Sequence, residues 1–110
     1  MYLKVDLNSE PVENVSDKMK RVRVTGKKAL LIKVSAKKGA IIPPHTHKTE
    51  QLSTILSGIV RMTVADETIV LERNNVLVIP EGAIHSGVVL EDTEYIDFWP
   101  ESTELFTLKR

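Results

Sequence analysis

Gly39-Ala-Ile-Ile-Pro-Pro-His45-Thr-His47-Lys-Thr-Glu50-Gln51, running on to Gly58, is the stretch whose reading decides the fold. A second stretch, Val78-Ile-Pro80-Glu-Gly82-Ala-Ile-His85, answers it, and the two together hold all 3 histidines of the chain. In an extended chain alternate side chains share a face, so positions 45, 47, 49 and 51 point one way and Glu50 the other. Two imidazoles and the Gln51 carboxamide then lie side by side, all competent ligands for a divalent first-row metal. Pro43 and Pro44 stiffen the approach, because proline fixes its own φ and restricts the residue before it. Pro80 and Gly82 shape a tight loop able to present His85 to the same point. Two histidines at this spacing also arise by chance on exposed edges, and a lone His85 would more often be an ordinary loop or core residue. The combination carries the reading.

Outward from these stretches, almost every periodic segment reads as strand. Residues 20–25 (KRVRVT) alternate charged with β-branched side chains, and residues 29–34 (ALLIKV) form a short apolar run closed by a polar turn at 36–39. Residues 51–56, 59–65, 68–72 and 76–79 follow, parted by Gly58, Asp66-Glu67 and Asn74-Asn75, which favour turns. Residues 87–90, 94–99 and 104–109 complete the set. Short strands at near-regular spacing predict an all-β sandwich or barrel. Residues 12–19 are the one place where a short helix competes with a loop. Residues 1–7 alternate Tyr2, Lys4 and Asp6 with Leu3, Val5 and Leu7, which suits a strand added to its own or a neighbouring sheet.

Composition bounds the rest. The 110 residues make one domain, expected as an extension at 1–19 followed by a barrel at 20–110. Fifteen basic and 15 acidic residues cancel, which removes any bulk pull toward nucleic acid or anionic membrane. Cysteine is absent, so disulfides, thiolate metal sites and a cysteine nucleophile are excluded, and a reducing cytoplasm fits. Lys4 and Asp6 interrupt what would be the apolar part of a signal peptide, and no run reaches the length of a membrane span. A soluble cytoplasmic protein is expected.

The two histidine stretches resemble the two motifs of the cupin superfamily. Gly39, His45, His47 and Gly58 fall on the first motif, with Gln51 where the family usually carries glutamate. Pro80, Gly82 and His85 fall on the second, with Asn74 in place of its first glycine and Val89 in place of its last asparagine. Asparagine also tolerates turn conformations, so Asn74 is a mild departure. The resemblance covers roughly residues 20–100 and implies a double-stranded β-helix, a jelly-roll barrel of two antiparallel sheets. It implies one divalent transition metal inside the barrel, held by His45, His47, Gln51 and His85.

Such a site has three neutral imidazoles and one neutral amide, which leave the metal's double charge uncancelled. It should favour an anionic ligand or a metal-bound hydroxide. Gln51 takes up no proton near neutral pH and is no general base. Mixed nitrogen and oxygen ligands suit manganese, iron, nickel, cobalt or zinc. A structural zinc would more often be ringed by cysteine, which this chain lacks.

Other residues read as follows. Tyr95 and Phe98 are expected in the core, and Trp99 at the barrel mouth or in a subunit contact. Arg61 is expected outward more often than in the site. Small cupins that act on unsaturated uronates look very similar in the metal motif and carry an acid, an aromatic and an arginine near a proline in the last strand. Asp97, Phe98 and Pro100 stand here, but the aspartate is one place out of step and Ser102 stands where the arginine would be. The leading reading is a metal-dependent enzyme acting on a small carboxylate or sugar acid by isomerase, lyase or dioxygenase chemistry. The alternative is a non-catalytic module that binds or senses a small molecule or metal. A storage role is weakest, because it needs no complete ligand set. Fold alone does not choose among them. A homodimer is expected in either case.

Overall fold

The computed structural model describes residues 1–100. Eight antiparallel strands follow one 3-10 turn at Leu7–Ser9: β1 (Glu13–Ser16), β2 (Met19–Thr25), β3 (Ala29–Ala36), β4 (Ile41–His45), β5 (Gln51–Val64), β6 (Glu67–Glu72), β7 (Val76–Ile79) and β8 (His85–Pro100). The main path is β1-β2-β3-β8-β5-β6, with β4 on β8 and β7 on β5.

Two long strands make this a jelly roll. The first part of β5 (51–54) pairs with β7, and its later part (59–64) with β6. The later part of β8 (93–100) pairs with β3, whereas its start pairs with β4. β5 and β8 lie against each other along most of their length and so belong to both sheets. Sequence reading divides each of them in two, at Gly58 and at Glu91–Thr93. The structure carries each through as one strand.

Gly58 marks a change of phase rather than a turn. Before it Gln51, Ser53 and Ile55 are buried, odd positions; after it Val60 and Met62 are buried, even positions. Successive register shifts between Ile55 and Val60 set five steps of β5 against six of β8, and the odd number reverses which positions of β5 face in. Gly58 has φ +92, and a Cβ there would collide with Thr93 Oγ1 and the Asp92 carbonyl. Only glycine fits.

The core runs along the inner side of β3 (Leu30, Ile32, Val34, Ala36) and meets Ile55, Val60, Met62, Leu71, Val89, Tyr95 and Trp99. Each aliphatic side chain buried here contributes about 1.5–3 kcal/mol. β2 inverts the usual arrangement. Arg21 and Arg23 stand opposite the buried Val34 and Ile32, and directly opposed residues share a face, so both arginines point inward. Val22 and Val24 face out.

Three expectations are corrected. The helix weighed at 12–19 is absent: β1 pairs with β2 through a tight turn, and Glu13 bonds Arg21 Nε at 2.9 Å and Arg23 Nη2 at 3.2 Å across the ladder. Residues 41–45, read only as a stiff approach, form β4. This edge strand tolerates Pro43 and Pro44 because the ladder to β8 is interrupted between Ile42 and His45. Phe98, expected in the core, is 37% exposed, because the alternation of β8 buries its neighbour Trp99 instead. Residues 1–6 lie in no strand. The strand expected at 104–109, like Ser102, falls outside the described residues.

Candidate metal centre

Each histidine is delivered by a different piece of backbone. His45 ends β4, His47 sits in the 46–50 connection, and His85 opens β8 as the register partner of His45. The Gly82 amide donates to the His47 carbonyl at 2.8 Å and ties the two loops together. Gly82 has φ +77 and Asn74 φ +71, so the asparagine in the glycine position of the motif adopts the left-handed conformation a glycine would.

The three rings converge. Centroids of His45 and His85 are 4.1 Å apart, His45 and His47 4.8 Å, His47 and His85 5.3 Å, and the ligand atoms lie within 4.8 Å of one another. His45 Nδ1 lies 2.8 Å from the Pro43 carbonyl, and His85 Nδ1 3.0 Å from the Ala83 carbonyl. A carbonyl can only accept, so each Nδ1 carries the proton and each Nε2 presents a lone pair to the centre. His85 Nε2 is buried with no hydrogen-bond partner among the described residues. A buried acceptor left bare is costly, and a cation is what would satisfy it. Burial, reinforced by His45 and His85, pushes the His47 imidazole down to about 4; burial also lowers His85, against the pull of its Ala83 bond. Both rings are neutral at neutral pH, the form that coordinates.

Gln51, the first residue of β5, is 4% exposed. Its Oε1 accepts from Trp99 Nε1 at 3.1 Å, its Nε2 donates to Ser53 Oγ at 2.9 Å, and Ser53 donates to Asp97 Oδ1 at 2.6 Å. Trp99 is thus an interior residue beside His47, at 5.3 Å between ring centroids. Glu50 and Arg61 are exposed and turned away, as the alternation and the solvated-arginine readings expected.

Behind the histidines the barrel encloses a cavity of about 300 Å³ with mostly apolar walls. Arg21, Ser53, Tyr95 and Asp97 supply its polar groups besides the histidines and Gln51. Burial raises the Asp97 carboxyl to about 6, against the lowering effect of its bonds with Ser53 and Gln51, and raises the Tyr95 phenol. Sequence reading did not single out Arg21 or Ser53, placed Tyr95 in the core, and raised Asp97 only as an acid one place out of step. A signal was present: counted by twos from His85 along an unbroken β8, positions 95, 97 and 99 face the same side as the histidine.

The cupin domain model matches residues 33–98, well over half of the chain, and the chain belongs to the cupin family. Among solved structures it is similar to KdgF from a Halomonas species, with 23% identity over 86% of this chain and 88% of that one and a TM-score of 0.79. It is similar to an RmlC-like cupin from Shewanella frigidimarina, at 22% identity over 90% of both chains and a TM-score of 0.82. Oxalate decarboxylase from Bacillus subtilis superimposes with a TM-score of 0.80 at 19% identity, covering 90% of this chain but 29% of that one. At such identities the likeness establishes the fold. No curated protein matches the chain in sequence.

Proposed function

We propose that the chain is a metal-dependent cupin enzyme acting on a small anionic substrate, a carboxylate or sugar acid, by isomerase, lyase or dioxygenase chemistry. The observation that carries this reading is the convergence of three imidazoles, with the buried Nε2 of His85 lacking a hydrogen-bond partner among the described residues. His45, His47, Gln51 and His85 would hold one divalent ion of manganese, iron, nickel, cobalt or zinc. Oxalate decarboxylase, a structural neighbour, has Mn(II) centres. When bound, such an ion supplies Lewis acidity to an anionic ligand.

The chain's own residues shape what enters. A cavity of about 300 Å³ is at the small end of ligand pockets, and its apolar walls exclude bulk water from the reacting end. Arg21 offers a guanidinium on the β2 wall, where an anionic group can pair, while Glu13, already bonded to its Nε at 2.9 Å, and Asp97 on β8 offset part of that attraction. The second reading, a binding or sensing module, uses the same residues without turnover. Metal analysis of protein purified without a histidine tag, followed by a screen of sugar acids, keto acids and dicarboxylates with that metal restored, tests the proposal. Absence of metal sinks the enzyme and the metal-binding module; tight binding without turnover of any acid selects the module.

We take residues 1–19 as an extension on a barrel of 20–110, with β1 joining the sheet edge. We also propose a cytoplasmic homodimer that engages neither nucleic acid nor membrane. The lack of cysteine and the balanced charge support the location and the absent partners. No helix among the described residues is long and apolar enough to cross a membrane. The dimer is supported by an outer row in which Val78, Leu52, Phe98, Leu31 and Val24 adjoin across five strands. Five strands span about 20 Å, and a patch of that width is of the order needed for half of a stable interface. Met1, Tyr2 and Leu3, almost fully exposed, extend the apolar surface available to a second copy.

A further inference from the structure

We propose that Ser53 and Asp97 are positioning residues that decide which end of the Gln51 amide faces the histidines. The oxygen and nitrogen ends of a carboxamide have nearly the same shape, so packing alone cannot choose between them. Only the oxygen can coordinate a cation. The choice falls to hydrogen bonds, and here it is forced from both ends.

At one end stands Trp99 Nε1, a donor with no acceptor capacity, 3.1 Å from the amide. It demands the oxygen. At the other end Ser53 Oγ lies 2.9 Å from the amide and 2.6 Å from Asp97 Oδ1. Ser53 Oγ donates to Asp97 Oδ1, which uses its single hydroxyl proton. Ser53 is then left as an acceptor toward Gln51, and only the NH₂ end can donate to it. A flipped amide would set NH₂ against the indole N–H and oxygen against an oxygen whose proton is already used.

The backbone makes the arrangement stable. Gln51 and Ser53 are alternate residues on the inner side of β5, and Ser53 is the register partner of Asp97 on β8. Ser53 is 5% exposed and lines the cavity. All donors along the row point toward Asp97: indole to amide oxygen, amide nitrogen to hydroxyl, hydroxyl to carboxylate. The consequence for a bound ion rests on the metal reading above; the orientation itself does not.

The test uses the full chain, isotope-labelled and metal-free, followed by calorimetric titration with Ni(II) and Mn(II). Ser53→Ala should remove the exchange protection of the Gln51 NH₂ protons and shift the Trp99 indole resonance. Affinity for either ion should fall about 10- to 100-fold, the usual cost of losing a partner behind a ligand. Ser53→Thr keeps the hydroxyl and should stay within about threefold of the parent, whereas Asp97→Asn can turn its NH₂ to Ser53 and should lose affinity in the same direction as Ser53→Ala. Should Ser53→Ala not fold, Asp97→Ala removes the same acceptor chain. Parental affinity and parental amide protection in Ser53→Ala, or loss in Ser53→Thr as large as in Ser53→Ala, overturns the proposal. If the parent binds neither ion, the metal reading falls, and the metal-free spectra alone decide the orientation.

Discussion

The two faces of β8 carry opposite chemistry on alternate residues. Tyr95, Asp97 and Trp99 look into the barrel, beside Gln51, Ser53 and the histidines. Ile96 and Phe98 look out, beside Leu52 and Leu31. A sheet with one solvated face ordinarily puts apolar residues in and polar residues out. Here several polar groups line the inside and a row of large apolar side chains is outside. Buried polar groups are retained where they meet a ligand or one another, and contiguous exposed apolar rows where they meet a partner. On the proposed function, the inner face receives a small ligand and the outer face a second copy of the chain.

His47→Ala breaks the inner half of this comparison most directly. We expect metal content to drop from one ion per chain to background, an affinity loss of more than about 100-fold. Elemental analysis showing undiminished metal would remove the site assignment altogether.

Gly58→Ala attacks the place where β5 exchanges its inner and outer positions. Positive φ and the collision with Thr93 and Asp92 together should cost about 3 kcal/mol in urea unfolding. Gly82→Ala, where φ is also positive but a Cβ meets nothing within 4 Å, should cost only about 1 kcal/mol. Equal losses would show that backbone conformation, not the strand crossing, makes Gly58 necessary.

Leu52→Lys places a charge in the outer row without touching the cavity. Light scattering at micromolar concentration should show a dimer in the parent and a monomer in the variant, a loss of about 2 kcal/mol in association, with metal content unchanged. A monomeric parent would refute the dimer and leave the outer face unexplained.

Gln51→Glu sharpens the inner half. Oxygen still coordinates, so the metal should stay, while the added charge should lower acetate and oxalate affinity about tenfold and leave a neutral diol unaffected. Calorimetry giving parental anion affinity would make the charge of this position incidental.

The smallest effect belongs to the outer edge. A bond from Ser35 Oγ at 2.7 Å, with help from Lys33 at 3.2 Å, holds the Glu94 carboxyl below the usual range. Its folded value lies below its unfolded one, so this stabilisation is present above the ordinary glutamate range and lost as pH falls through the folded value. Solvent screening keeps it under about 1 kcal/mol. Unfolding midpoints between pH 7 and pH 3 should converge for the parent and Glu94→Gln at the acid end; a gap independent of pH would point to packing instead.

Much was legible before any coordinates. Spacing and residue type marked His45, His47, Gln51 and His85, and the turn formers Gly58, Asn74 and Gly82 stand where positive φ is needed. β7 matches its expected bounds, and β2, β3 and β6 begin or end within two residues of theirs. The helix weighed at 12–19 failed because cross-strand partners Arg21 and Arg23 lie outside any local window. Phe98 failed for a related reason: an aromatic pair at 98 and 99 gives no hint of which member faces in.

What the sequence alone determined is period: strands, turns, and four ligand-type side chains at spacings that can meet. What the tertiary structure decided is phase. Whether a residue faces in or out is defined only against a partner strand. β8 runs unbroken through residues 91–93, which keeps Tyr95, Asp97 and Trp99 in step with His85. β5 spans Ile55 to Val60 in five steps while β8 spans Val89 to Tyr95 in six, and the odd number puts the two halves of β5 out of step. That pairing brings Asp97 to Ser53 and Trp99 to Gln51, and turns Arg21 inward from β2. A local pattern of alternation is the same in either phase, so these residues join the site only when the sheets close around it.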